Sequence, residues 1–252
     1  MGPVAYDCVK VIVVRDGSAI LFSEFGQRLV RVGDAILLGP NVLCGLDLEI
    51  RAGETIAFLS DDGRSRSAIT DLLMRECQPG GGQVRVDGQD VREIARGCLR
   101  RQIALVVQGD DCLGEGACDS LVCGKTEACE AEIVGAAIAA NAHDFIRRLP
   151  RGYATSADEC SPALSASERR RISIARAMLQ NAPIVILDEP LAGLEAESED
   201  AVRVAFLRLI ERRTSIVFTH HLATALLADR ILTLVGGRAI ELAHEQLLPR
   251  AS

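Results

Sequence analysis

One stretch limits the fold more than any other. Residues 184–190 read IVILDEP, an apolar run of strand length that ends in two carboxylates, Asp188 and Glu189. A continuous β-branched run of this kind suits a strand buried on both faces, which is the strand type of parallel sheets. Open α/β sheets place their ligands at the carboxyl ends of such strands. Taken alone, an apolar strand ending in Asp-Glu also fits an ordinary surface turn, so its neighbours have to decide.

Upstream, the strand-like ETIAFL leads through SDDGRSRSA (60–68) into AITDLLM, where Ile69, Leu72 and Leu73 have the i, i+3, i+4 spacing of a helix face. A hairpin is expected around Asp87-Gly88 and a buried strand in RQIALVVQ, ending at Gln108. From about 109 to 180 the pattern turns helical, and LSASERRRISIARAMLQ opens with Ser165-x-x-Glu168, a capping-box spacing. EAESEDAVRVAFLRLIERR starts acidic and ends basic, as the helix dipole favours. TSIVFTHH and DRILTLVGGRAIEL supply the last strands. Strands alternating with helices predict an α/β fold with a mostly parallel sheet covered on both faces. The opening VKVIVV, SAILF and RLVRVGDAILL read as β throughout.

Composition removes several classes. With 252 residues the chain can form one large α/β domain or two small ones. A net charge of −7 disfavours nucleic acid as a partner. No run approaches a membrane span, no signal peptide is evident, and Tyr6 stands where myristoylation wants Ser or Thr. A cytoplasmic protein is expected. Cys112, Cys118, Cys123 and Cys129 cluster, but their spacing matches no zinc knuckle, so no metal is expected there.

The loop at 60–68 lies where a phosphate-binding loop should sit, between a strand and a helix, yet it holds one glycine, Gly63, and no lysine. Its order with Gln108, LSASERRRISIARA, ILDEP and the Thr219-His220 pair resembles the ATP-binding-cassette (ABC) ATPases, specifically the nucleotide-binding domain of exporter-type transporters. The resemblance covers roughly residues 40–250 and includes AANAHDFIRRLPRGY and EAESE. It implies a P-loop NTPase core with an N-terminal antiparallel β-subdomain and a helical subdomain at about 109–180. Residues 1–40 would be a separate β segment and 41–250 the nucleotide-binding domain.

The implied ligands are ATP and Mg2+. Glu189 matches the glutamate that polarises water, His220 the switch histidine facing the γ-phosphate, and Gln108 the magnesium-sensing glutamine. Ser67, Gln108 and Asp188 match the magnesium set. Ser60, Asp61, Asp62, Gly63, Arg64, Ser65, Arg66, Ser67 and Ala68 match the phosphate loop, and Ser165 the contact to the opposite subunit's nucleotide. Glu159 matches the acidic loop that touches the membrane domain. The implied partners are a transmembrane domain protein and a second ABC subunit, at the inner face of the plasma membrane.

Three elements depart from the family pattern. Ser60 and Ser65 stand for glycines, Asp62 for a serine, Arg66 for the lysine and Ala68 for a threonine, while Gly63 and Ser67 keep the pattern. Side chains crowd a cradle made of backbone N–H groups, and a guanidinium is wider than an ammonium. Asp61 and Asp62 repel phosphate. The signature reads Leu164-Ser165-Ala166-Ser167-Glu168 in place of Leu-Ser-Gly-Gly-Gln. The third departure is at the N-terminus, where Ile36–Leu38 offers no aromatic for adenine. There residues 5–45 are similar either to the cupin-like sensor start of AraC-type regulators or to a variant β-subdomain of the ABC fold. Three functions follow: an ATPase subunit, expected in a heterodimer; a non-hydrolysing ABC partner or transporter-gene remnant; and a small-molecule sensor, which no DNA-binding helix pair supports.

Overall fold

A computed structural model describes residues 12–13, 18–23, 26–31, 48–60, 63–79, 82–107, 121, 125–155, 164–194, 196–235, 238–243 and 247. Its first elements are β1 (Ile12–Val13), β2 (Ser18–Ser23), β3 (Gly26–Arg31), β4 (Thr55–Leu59), α1 (Gly63–Leu73), β5 (Arg85–Val86), β6 (Gln89–Asp90), α2 (Arg96–Gln102) and β7 (Ile103–Val106). They are followed by α3 (Glu130–Ala139), α4 (His143–Arg148), α5 (Ala166–Gln180), β8 (Ile184–Asp188), α6 (Ala196–Ile210), β9 (Thr214–Thr219), α7 (Leu222–Ala225), β10 (Arg230–Val235) and β11 (Arg238–Leu242). The chain divides into two compact units, residues 1–103 with 214–252, and residues 104–213.

In the first unit four strands lie in the order β11-β10-β4-β9. The pairs β10–β4 and β4–β9 are parallel, and β11 closes the edge as an antiparallel hairpin on β10. Ile56, Ala57 and Phe58 are all buried, as a strand covered on both faces requires. Phe58 lies opposite Phe218 in the register, and their rings stack with centroids 5.2 Å apart. Phe58→Ala is expected to cost about 3–5 kcal/mol by emptying this position, measurable by urea unfolding.

Charge and backbone then fix the strand ends. Thr55 N donates to the Asp229 carboxylate (2.7 Å) while Asp229 N donates to Thr55 O (2.8 Å). Arg230 forks onto Glu241 (3.1 and 2.9 Å) and reaches Glu49 O (2.9 Å), tying the hairpin to the β4 approach. The expected hairpin at Asp87-Gly88 forms between β5 and β6, with both residues left-handed (φ 52° and 75°) as a two-residue turn demands. Among residues 1–40, β2 pairs antiparallel with β3, and β1 runs parallel to β5. The rest of that segment, including most of the cupin-like stretch, lies outside the described residues.

Next to β6 sits a charge pair with a pH signature. Asp90 is 7% exposed, and Arg92 grips both its oxygens (Nε 3.0 and 3.1 Å, Nη2 2.6 Å). Burial alone would raise the Asp90 carboxyl, but the Arg92 hydrogen bonds and charge hold it below the ordinary carboxylate range. A lowered folded value means this stability is full above the unfolded carboxyl pKa of about 4 and is lost as pH falls through the lower folded value. Arg92→Met is therefore expected to destabilise by about 1 kcal/mol at pH 7, solvent screening included. The difference from the parent should vanish in urea titrations carried out below both values.

The second unit holds β7 and β8 side by side and the helices α3 to α6. Ile184 to Leu187 are all buried, as the apolar run predicted. Helix α5 packs against α3 and α6. Asn141, left-handed at φ 56°, joins α3 to α4. Its carbonyl accepts from Arg171 (2.7 Å) and its amide donates to Ala201 O (3.0 Å), while Arg171 stacks over Phe145 at 4.7 Å. Among the described residues no helix is long and apolar enough to cross a membrane.

Candidate functional site

The first unit holds a loop mouth of its own. Because β4 and β9 run parallel with Leu59 opposite Thr219, both strands end together. Ser60 N donates to Thr219 O (3.1 Å), so the start of the 60–68 loop is tied to the residue before His220. Thr219 Oγ1 then accepts from His221 N (3.1 Å) and shapes the turn that exposes His220, whose ring lies 3.9 Å from that of His221. The structure thus brings Ser60 and the His220 turn together, and Thr219 is the residue that links them.

Helix α1 begins at Gly63, so residues 63–68 of the expected loop are already helical, and it carries no acid in its first turn. The N–H groups of its first turn and its dipole favour an anion there. Ser65 is buried, Ser67 exposed, and Arg66 and Ala68 lie between these extremes. A Cβ on Gly63 would come 3.3 Å from Arg66 Nη2, so the guanidinium lies back over the Gly63 backbone. Asp61, Asp62 and the Arg64 side chain lie outside what is described.

The second unit by itself holds the carboxylates and the signature helix. Asp188 ends β8 half-buried, and Glu189 follows it with 3% exposure and a left-handed backbone, φ 47°. Arg170, 7% exposed on α5, donates from Nη1 to Glu189 O and, at 3.5 Å, to Asp188 O. Burial pulls the Arg170 guanidinium below its ordinary value, while the Asp188 and Glu189 charges push the other way. This arginine was missed in the sequence. The signal was there: Ser167, Arg170, Ile174 and Ala177 fall on one helical stripe, and all four are buried.

At the start of α5 the expected capping box forms. Glu168 N donates to Ser165 Oγ (3.3 Å), Ser165 N donates to Glu168 Oε2 (2.9 Å), and Ser165 Oγ donates to the same oxygen (2.9 Å). Ser165 Oγ also lies 3.1 Å from Ser167 Oγ. A carboxylate of the chain itself therefore sits at the helix end that the family pattern gives to a phosphate.

Gln108, Glu159, Cys112, Cys118 and Cys123 lie outside the described residues. Cys129 is free, exposed and at the N-terminus of α3, where its N–H donates to Glu132 (3.0 Å). The purified chain is expected to contain no zinc by plasma emission. Stoichiometric zinc that disappears on changing Cys112, Cys118, Cys123 and Cys129 to serine would contradict this.

The donor chemistry fits magnesium and phosphate. In the first unit Ser67 offers a hard oxygen and α1 a helix N-terminus with the Arg66 guanidinium folded over it; in the second unit Asp188 offers a carboxylate.

A family model described as ABC transporter matches residues 43–192. An ATP-dependent lipid A-core flippase of Syntrophus aciditrophicus is 44% identical over 97% of this chain and 41% of its own length. A flippase of the same description from Chromobacterium violaceum is 39% identical over 83% of this chain and 36% of its own length. The chain thus spans about two fifths of the length of the curated relatives it matches. A solved bacterial Atm1-family ABC exporter with ATP bound superposes with a TM-score of 0.75 at 29% identity, covering 95% of this chain and 41% of that one.

Proposed function

Because the chain belongs to the ABC transporter family, as an ATP-binding domain of exporter type, we propose that it is an ATPase subunit that couples ATP binding and hydrolysis to transport through a separate membrane domain. The observation that carries this reading is the carboxylate pair at the end of β8, with Glu189 buried behind Asp188. Glu189 would polarise the attacking water, His220 would face the terminal phosphate, and Gln108 would link the site to the membrane domain. Asp188, Ser67 and Gln108 would hold Mg2+, which when bound supplies neutralising charge to the phosphates. The loop from Ser60 to Ala68, with Arg66 as its cation, would hold the phosphates of ATP.

The phosphate loop and signature are degenerate in this reading. Ser60, Asp62, Ser65 and Arg66 crowd or repel the phosphate, and Glu168 fills the end of α5 with its own charge. MgATP affinity is accordingly weak. Two such chains would pair a weak loop with a blocked signature at both sites, so a heterodimer with an intact ABC subunit is the favoured assembly. The protein would act at the inner face of the plasma membrane, held by its membrane partner. In this reading residues 1–40 would be a β segment ahead of a nucleotide-binding domain at 41–250, with a helical subdomain at about 109–180. The pairing of β1 with β5 supports a variant ABC β-subdomain over a cupin-like sensor module.

A second reading, a non-hydrolysing ABC partner, is favoured by the capped signature alone. The test is hydrolysis of ATP by the chain together with a membrane-anchored ABC exporter half. Turnover that Glu189→Gln abolishes supports the ATPase. Turnover indifferent to that change supports the second reading.

A further inference from the structure

We propose that Arg170 is a positioning residue for the turn that carries Glu189. From the buried stripe of α5, its guanidinium holds the backbone carbonyls of Asp188 and Glu189 and so sets where the Glu189 carboxylate points. The inference rests on the ATPase reading for its catalytic consequence, but not for its structural part.

Glu189 occupies a left-handed conformation (φ 47°) that an L-residue with a side chain adopts only when its surroundings impose it. Two donors meet at its carbonyl, Arg170 Nη1 and the Ala192 N–H at 3.3 Å. Together they fix the peptide plane after Glu189. Arg170 Nη1 also reaches Asp188 O at 3.5 Å, so one guanidinium spans both peptide units on which the two carboxylates are mounted. The charge matters as well as the hydrogen bonds. A buried guanidinium is costly unless opposite charge and acceptors surround it, and Asp188 and Glu189 are the acids that act on it. An arginine that only filled the helix stripe would need neither carbonyl. This one is directed at the backbone of the acids.

Lysine keeps the charge and one donor nitrogen on a shorter, unbranched tip, and glutamine keeps a neutral donor. Methionine keeps the bulk and loses both. In the chain with its phosphate loop and signature restored to the family pattern, Arg170→Met is expected to lower kcat about 100-fold, the cost of a misplacement of about 1 Å. MgATP affinity should stay within about twofold, because the Arg170 donor is engaged with the Asp188 and Glu189 carbonyls. Arg170→Gln and Arg170→Lys should each recover part of kcat. A merely structural arginine would lower the melting temperature and leave kcat per folded molecule unchanged.

The second measurement needs no activity. In the native chain, hydrogen exchange at the Ala192 amide should quicken in Arg170→Met by more than about tenfold relative to the amides inside β8. A restored parent that hydrolyses ATP, with kcat unchanged in Arg170→Met, overturns the positioning role. Unchanged protection at Ala192 overturns the structural hold itself. A restored parent that does not hydrolyse ATP defeats the ATPase reading, and the exchange result alone then decides what Arg170 does.

Discussion

The chain carrying Ser60→Gly, Asp62→Ser, Ser65→Gly, Arg66→Lys and Ala68→Thr is expected to bind MgATP at least ~100-fold more tightly than the native chain in calorimetry. Each charge-assisted contact to a phosphate contributes on the order of 1.5–3 kcal/mol, and 1.4 kcal/mol is about tenfold in affinity, so two recovered contacts suffice. The steric part comes from backbone N–H groups that must approach the phosphate closely. The native loop has side chains at Ser60 and Ser65, with Ser65 buried and Ser60 N already engaged with Thr219 O. The cationic part comes from replacing a guanidinium that folds over Gly63 with a compact ammonium. Asp62→Ser alone should recover an electrostatic fraction that shrinks as salt is raised. Tight binding by the unaltered chain would show that Arg66 serves as well as lysine and that crowding is not the obstacle.

With that loop restored, adding Ala166→Gly, Ser167→Gly and Glu168→Gln is expected to produce an ATP-dependent homodimer by light scattering, where the native chain stays monomeric. The end of α5 is now satisfied internally, since Glu168 accepts from both Ser165 N and Ser165 Oγ. An incoming phosphate would meet that carboxylate at close range and could not take its place without breaking both bonds. Neutralising Glu168 and clearing the side chains at 166 and 167 leaves the helix N-terminus to the nucleotide of the opposing subunit. The same triple change should lower thermal stability, because losing a capping interaction costs about 0.5–2 kcal/mol. The two effects have opposite signs, which separates a real opening of the signature from general loosening. A dimer formed by the native chain with ATP would contradict the blocked-signature account.

Much of the fold was legible because its signals are local. The apolar run at 184–187, the i, i+3, i+4 face of α1 and the Ser165–Glu168 spacing each name one element; each element forms, although α1 starts at Gly63, within the stretch read as loop. Asp87-Gly88 named its turn for the same reason, because φ > 0 at two successive positions selects such residues. The site was less legible, because its supports join segments far apart in sequence. Nothing near Thr219 announces that its carbonyl receives Ser60 N, a contact set by the β4–β9 register. Arg170 looked like one of three consecutive surface arginines, and only the phase of α5 turns it toward the Glu189 turn. The left-handed backbone of Glu189 has no sequence signal at all, since glutamate does not favour it.

The central claim is that the carboxylate end of the site is sound and only the phosphate-gripping parts have changed. The most direct test is steady-state ATP hydrolysis by the chain restored at both the 60–68 loop and the 164–168 signature, beside the same chain with Glu189→Gln. The account predicts MgATP-dependent turnover in the restored chain, abolished by Glu189→Gln with MgATP binding retained. A restored chain that folds and binds MgATP yet shows no Glu189-dependent turnover would contradict it, and would mean that the Asp188–Glu189 turn has lost its working geometry as well.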